Sequence, residues 1–147
     1  MKTRRISIAG PVPRKAHPAD AAFDLKARYG SLIEPRGMSI IACDFLIDIP
    51  EGMVGLICSR SGMASNHGVF VLNAPGVVDP GYHGEVCVLL ANFSDRPYAV
   101  AAEHRVAQLL ILKAPPVELV SNYNAFDHMQ SIATSERGIE GFGSTGV

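Results

Sequence analysis

No charge of either sign dominates this sequence: thirteen lysines and arginines stand against fourteen aspartates and glutamates. The balance excludes a general nucleic-acid coat and a polybasic membrane-binding surface. It leaves room for a small anionic ligand, which needs only a few local arginines. Cysteine is scarce and unpatterned. Cys43, Cys58 and Cys87 lie far apart with no CxxC, which fits a reducing cytosol and not a disulfide scaffold. Metal-ligand spacing is missing too: His17, His67, His83, His104 and His128 fall at no two- or four-residue interval, and none stands in a ligand pattern with a cysteine. There is no GxSxG and no convincing Cys/His nucleophile pair. Long apolar runs are lacking. The opening MKTRRISIAGPVP is too broken by charge and proline for the apolar core of a signal peptide. The uncharged stretch 61–78 holds Asn66, His67, Asn73 and Pro75, so it does not read as membrane-spanning. A cytoplasmic location is the expectation.

What the chain does have is 147 residues, 48% of them hydrophobic, enough for one domain with a sizeable core. Fourteen glycines and ten prolines punctuate it at short intervals. Between them, residues 39–49, 53–59, 68–73, 85–92 and 105–112 are β-branched or apolar runs that read as strands. IPEGM and DPGYHG supply turn chemistry. The best helical candidate is SGMASNHG (61–68), with Ser61 as N-cap and Gly68 as stop. Short strands separated by turns predict an all-β sandwich, jelly roll or barrel. Residues 115–136 are more polar and read as an arm leading into a glycine-rich tail. That tail is too poor in apolar residues to order alone.

Four stretches carry chemistry, each with two readings. SRSGMA (59–64) sets Arg60, Ser61 and Gly62 at the start of a helical turn, where outward N–H groups favour an anion; an ordinary cap with a surface arginine looks the same. NAPGVVDPGYHGEV (73–86) holds Asp79 rigidly after two valines, as a general base on water needs; Asp-Pro is also plain turn chemistry. In RVAQLLI (105–111), alternation puts Val106, Gln108 and Leu110 on one face, where an amide needs a partner. That partner is a backbone group, the commoner case, or a ligand oxygen. The end, RGIEGFGSTGV, offers glycine N–H groups, Ser144, Thr145, Arg137 and Phe142. Such a segment can wrap phosphate and stack on a planar ring, or it can be a solvated terminus. No Walker lysine follows its glycines, and it opens no helix as a dinucleotide fingerprint does.

In order, and with DAAFDLKA (20–27) ahead of them, these four stretches resemble the five motifs of the homotrimeric dUTPases, which split dUTP into dUMP and pyrophosphate. DAAFDLKA (20–27) is similar to the first motif, SRSGMA to the second, NAPGVVDPGYHGEV to the third, RVAQLLI to the fourth and RGIEGFGSTG to the fifth. The resemblance spans nearly the whole chain. It implies a single all-β, jelly-roll-like domain or distorted barrel over 1–134, and a mobile lid over 135–147. It implies a homotrimer with sites between subunits, closed by the tail of another chain, and neither a nucleic-acid nor a membrane partner. Carried over, Asp79 activates the water that attacks the α-phosphorus. Asp24 holds a water on a Mg²⁺ that is bound mainly by substrate phosphates. Arg60, Ser61, Gly62 and Gln108 contact phosphates. Asn73 and the hairpin backbone from Gly76 through Val78 to Tyr82 read the uracil, with Tyr82 against the deoxyribose, leaving no room for a 2′-hydroxyl. Arg137, Gly143, Ser144 and Thr145 grip the γ-phosphate end, and Phe142 stacks on the base. Arg105 is given to structure, in a buried ion pair.

The chain departs from the family pattern at Ala22 and Phe23, which replace a glycine and a tyrosine, at Ser59 for a common proline, at His83 for a basic or amide residue, and at Glu140 for a glycine. Glu140 puts a carboxylate in a phosphate-binding segment. A dCTP deaminase is the nearest rival, since VVDPGYHG is similar to its turn. Leu89 stands where its catalytic glutamate would be, and Ser65 where its arginine would be. A relative that keeps the fold and has lost catalysis is a rival of a different class; it would bind nucleotide without turnover.

Overall fold

The computed structural model describes residues 5–121. Among them are eleven β-strands and one helix: β1 (Ser7–Ala9), β2 (Phe23–Lys26), β3 (Ser31–Ile33), β4 (Met38–Ala42), β5 (Leu46–Asp48), β6 (Met53–Cys58), α1 (Ser61–His67), β7 (Val69–Val71), β8 (Gly76–Val78), β9 (Cys87–Asn92), β10 (Tyr98–Val100) and β11 (Arg105–Lys113). All lie within one compact unit, Met1–Pro115. The described part of the second unit, residues 116–121, carries no strand or helix.

Every strand pair is antiparallel. The two larger sheets run β2-β11-β6-β8 and β4-β9-β7, and two hairpin-sized pairs, β1-β5 and β10-β3, complete the set. Alternation explains how they close on one core. Leu25, Ile57, Val78 and Leu109 from the first sheet join Ile41, Val88, Leu90, Val69 and Val71 from the second, with Phe45, Ile33 and Met63, in one buried cluster. This is the all-β, jelly-roll-like architecture expected from the sequence.

Several local expectations change. The run 39–49 is not one strand. Asp44 adopts φ 64 and breaks it into β4 and β5, a conformation that aspartate tolerates better than most residues. Arg60, not Ser61, is the N-cap of α1, and no side chain caps the helix; Gly68 does end it, at φ 66. In β11 the register shifts between Arg105 and Ala107, so Val106 and Ala107 are both buried. Such a bulge adds one residue and resets the alternation. Val106 therefore faces the core and does not share the face of Gln108 and Leu110. Strands β1, β2, β3 and β10 lie outside the runs that read as strands.

Candidate active site

β11 lies between β2 and β6. Its register sets Gln108 opposite Asp24 on one side and opposite Cys58 on the other. Directly opposed side chains share a face, so these three form a row across the sheet. Beside them on the outer face stand Val54, Leu56, Val77, Leu110 and Leu112, half-buried or exposed. The row is the polar margin of an apolar surface, and that is why Gln108 read as a misfit. Its carboxamide donates to the Ser59 carbonyl at 2.9 Å, so its partner within the chain is a backbone group.

That hydrogen bond is one of several that bind the segment before α1 to the sheet. The Ser59 hydroxyl accepts the Val71 N–H at 2.9 Å. Arg60 Nη1 donates to the Arg105 carbonyl at 2.6 Å. Arg105 Nη1 lies 3.4 Å from Asp24 Oδ2. The Arg105 ion pair thus exists, but its arginine is half exposed, at 49%, and not buried as expected; its partner is the carboxylate of the first motif. Asp24, Ser59, Arg60, Arg105 and Gln108 form one connected cluster. Ser61 and Gly62 are exposed in the first turn of α1 beside it. A cavity of about 200 Å³ opens against Arg60 and Arg105, walled by Met63, Tyr98, His104 and Val106. Phe23 turns elsewhere, into an apolar groove with Ile8, Met53 and Ile111, so its replacement of a tyrosine is a packing change.

The segment from Asn73 to Glu85 is a second locus, and it is not the hairpin expected from the sequence, because β8 and β9 join different sheets. β8 has β6 on one side, and no other strand pairs with it among the described residues. An edge strand leaves a row of N–H and C=O groups unpaired and open to a hydrogen-bonding ligand. Asn73 is exposed on the turn before it, Gly76 is buried, and the Val78 side chain is in the core, so only its backbone can face a ligand. Asp79 is exposed just past the strand. Tyr82 is 45% exposed and donates its hydroxyl to the Glu85 carbonyl at 2.9 Å.

Register separates the two loci. Val78 pairs with Gly55, so Asp79 continues toward the level of Val54, four residues along β6 from Cys58. At 3.3 Å per residue that is roughly 13 Å. One chain gathers Asp24, Arg60 and Gln108, and holds Asp79 and Tyr82 apart from them. Arg137, Glu140, Phe142, Gly143, Ser144 and Thr145 lie outside the described residues.

The family model for dUTPase matches residues 9–146. The chain is 40% identical over 139 residues to the deoxyuridine 5'-triphosphate nucleotidohydrolase of Anaplasma marginale, covering 93% of this chain and 90% of that one. The Staphylococcus bacteriophage 80alpha dUTPase with dUPNHPP matches with a TM-score of 0.80 and 27% identity, over 99% of this chain and 100% of that one. A dUTPase of phage phi11 of S. aureus, which coordinates a structural Mg(II) ion, matches with a TM-score of 0.75 and 23% identity, over 82% of this chain and 97% of that one. The chain belongs to the dUTPase family.

In a dUTPase of this sequence, among the described residues, no group of three His, Cys, Asp or Glu side chains is arranged to hold a metal ion. Asp24 is the one carboxylate in the row, 20% exposed and steadied by Arg105. That donor set fits a cation that takes most of its oxygens from a polyphosphate. Reading the sequence missed two connections made by side chains near these loci. Ser59 looked like a departure from proline, yet its hydroxyl and carbonyl tie β7 and β11 to the start of α1. Glu85 opened the run 85–92 that read as a strand, and no local signal marks its distant partners, Asp44 and Arg28.

Proposed function

We propose that this protein is a dUTP diphosphatase that hydrolyses dUTP to dUMP and pyrophosphate. The observation that carries the proposal is the welded cluster of Asp24, Arg60 and Gln108, three family motifs joined by direct hydrogen bonds and one ion pair. Phosphoryl transfer depends mainly on positioning and charge stabilisation, and this cluster offers both. Arg60, Ser61 and Gly62 bind phosphate oxygens. Gln108 has two amide hydrogens; Ser59 takes one and the other is free for a phosphate oxygen. Asp24 would hold Mg²⁺ through a water, and the bound ion would neutralise charge on the triphosphate. Asp79 takes a proton from the water that attacks the α-phosphorus. Asn73 and the edge of β8 from Gly76 to Val78 read the uracil. A closed backbone at the ring C5 excludes the thymine methyl. Tyr82 packs on the deoxyribose. Arg137, Gly143, Ser144 and Thr145 hold the γ-phosphate end and Phe142 covers the base, as a lid over 135–147 on a domain of 1–134.

A homotrimer with shared sites supplies what one chain keeps apart. The apolar face of Val54, Leu56, Val77, Leu110 and Leu112 is suited to burial against other copies. Among the described residues no helix is long and apolar enough to cross a membrane, and all three cysteines are free; we assign the enzyme to the cytoplasm. There it keeps uracil out of DNA and supplies dUMP for dTTP synthesis. The test is pyrophosphate release with Mg²⁺ from dUTP, dTTP, dCTP and UTP. Efficient cleavage of dUTP alone is expected. Ammonia release from dCTP, or nucleotide binding without turnover, would overturn the proposal.

A further inference from the structure

Residues 81–85 belong to no strand, yet they carry Tyr82, so something must fix that ring. Its near face is set locally. A Cβ on Gly84 would lie 2.5 Å from Tyr82 Oη and 2.7 Å from Cζ, so the ring rests on a bare glycine. Its tip is set by the hydrogen bond to the Glu85 carbonyl. The orientation of Tyr82 is therefore referred to Glu85, and Glu85 is held from a distance. Its Oε1 accepts the Asp44 N–H at 2.8 Å, across 41 residues of sequence. The break at Asp44, between β4 and β5, is what frees that N–H from a strand ladder. Arg28 Nε lies 3.1 Å from Asp44 Oδ1, and its Nη1 lies 3.7 Å from Glu85 Oε1. Both ends of the cluster are anchored: the Arg28 N–H bonds the Ala42 carbonyl at 2.8 Å and the Val86 N–H bonds the Phe45 carbonyl at 2.9 Å.

We propose that Arg28, Asp44 and Glu85 are positioning residues that set the sugar selectivity of Tyr82; the role rests on the dUTPase reading above. None of the three is needed to touch nucleotide. All are a third or more exposed, so their ion pairs contribute little to stability. Their effect is geometric. They hold the Glu85 carbonyl, the carbonyl holds the phenol, and the ring fills the space that a 2′-hydroxyl would need. Loosening the cluster lets the ring tilt and admits a ribose.

The test compares kcat and KM for dUTP and UTP in full-length wild type, Glu85→Ala, Glu85→Gln and Arg28→Met. Glu85→Ala should lower the dUTP-to-UTP ratio of kcat/KM roughly tenfold, through KM, with kcat on dUTP held within about twofold. Glu85→Gln keeps an acceptor for the Asp44 N–H and should recover most of the ratio. Arg28→Met lies at the surface and should shift the ratio in the same direction; it decides the matter if Glu85→Ala does not fold. An unchanged ratio in the folded variants overturns the proposal, as do equal losses of kcat on both nucleotides. A wild type that releases no pyrophosphate from dUTP fells the functional reading, and this role with it. A selective wild type with equally selective variants fells this role alone.

Discussion

Asp79 stands just past a buried valine, so its backbone is fixed while its carboxylate is free in solvent. That combination suits a base that must meet a water molecule. Asp79→Asn keeps the shape and removes the basicity. Turnover of dUTP should fall by about 10²- to 10⁴-fold, while titration with dUPNHPP should give an affinity within about threefold of wild type. Wild-type turnover in the variant would remove Asp79 from the base role. Cys43 is the opposite kind of residue. Burial, followed by Cys87 and Glu85, pushes its thiol up to about 12. It should resist iodoacetamide at pH 8 in the native protein and react only after denaturation. The same shift makes stability depend on alkali. A raised folded pKa means that the contribution is intact below the unfolded value of 9.0 and is lost as pH climbs from there toward about 12. Across that window the thiol alone contributes a slope of about 1.4 kcal/mol per pH unit. Urea midpoints at pH 8 and pH 10.5 should therefore fall further in wild type than in Cys43→Ala.

At the scale of elements, the fold depends on a side chain that sits at the end of a strand. Among the described residues Asn92 is the one buried polar residue, 1% exposed, at the last position of β9. Its amide donates to the carbonyls of Ile33, Glu34 and Arg96, at 3.1, 3.3 and 2.7 Å. Its carbonyl accepts the Ser94 N–H at 3.0 Å and the Ser94 hydroxyl at 2.7 Å. It joins the end of β3 and the approach to β10 to the second sheet. Asn92→Ala removes a donor from all three carbonyls, but the Gly37 N–H still serves Glu34 and the Ser94 hydroxyl still serves Arg96, at 2.9 Å each. The cost in urea denaturation should therefore be about 1–3 kcal/mol; a loss below about 0.5 kcal/mol would show that water replaces the amide. Nothing in EVCVLLAN announces this, because the partners lie up to 59 residues away. The same limit explains other differences between sequence and fold. The central runs of β6, β9 and β11 were legible because their apolar residues are dense. The break at Asp44 was not, since DFLIDI alternates smoothly through it. The bulge at Val106 was hidden too, as one added residue changes no composition. Gln108 was legible as an anomaly but not as a donor to Ser59, which is 49 residues distant.

For the whole molecule, the five motifs were readable in order along the chain, but order in sequence does not say which motifs meet. In space the first, second and fourth converge at Asp24, Arg60 and Gln108, while the third carries Asp79 roughly 13 Å along the sheet from their row. The homotrimer proposed above would draw the two loci from different copies. This makes a prediction with arithmetic in it. Asp24→Asn and Asp79→Asn should each be inactive alone. In trimers assembled at random from equal amounts of the two, a shared site takes its Asp24 from one copy and its Asp79 from another. Each choice is intact half the time, so about a quarter of the sites should be whole. Pyrophosphate release from refolded mixtures should recover to about that fraction of wild type. If each chain completed its own site, every site would carry one defect and mixing would restore nothing. The mixture therefore reads the architecture of the assembly directly, through a rate that neither variant can supply.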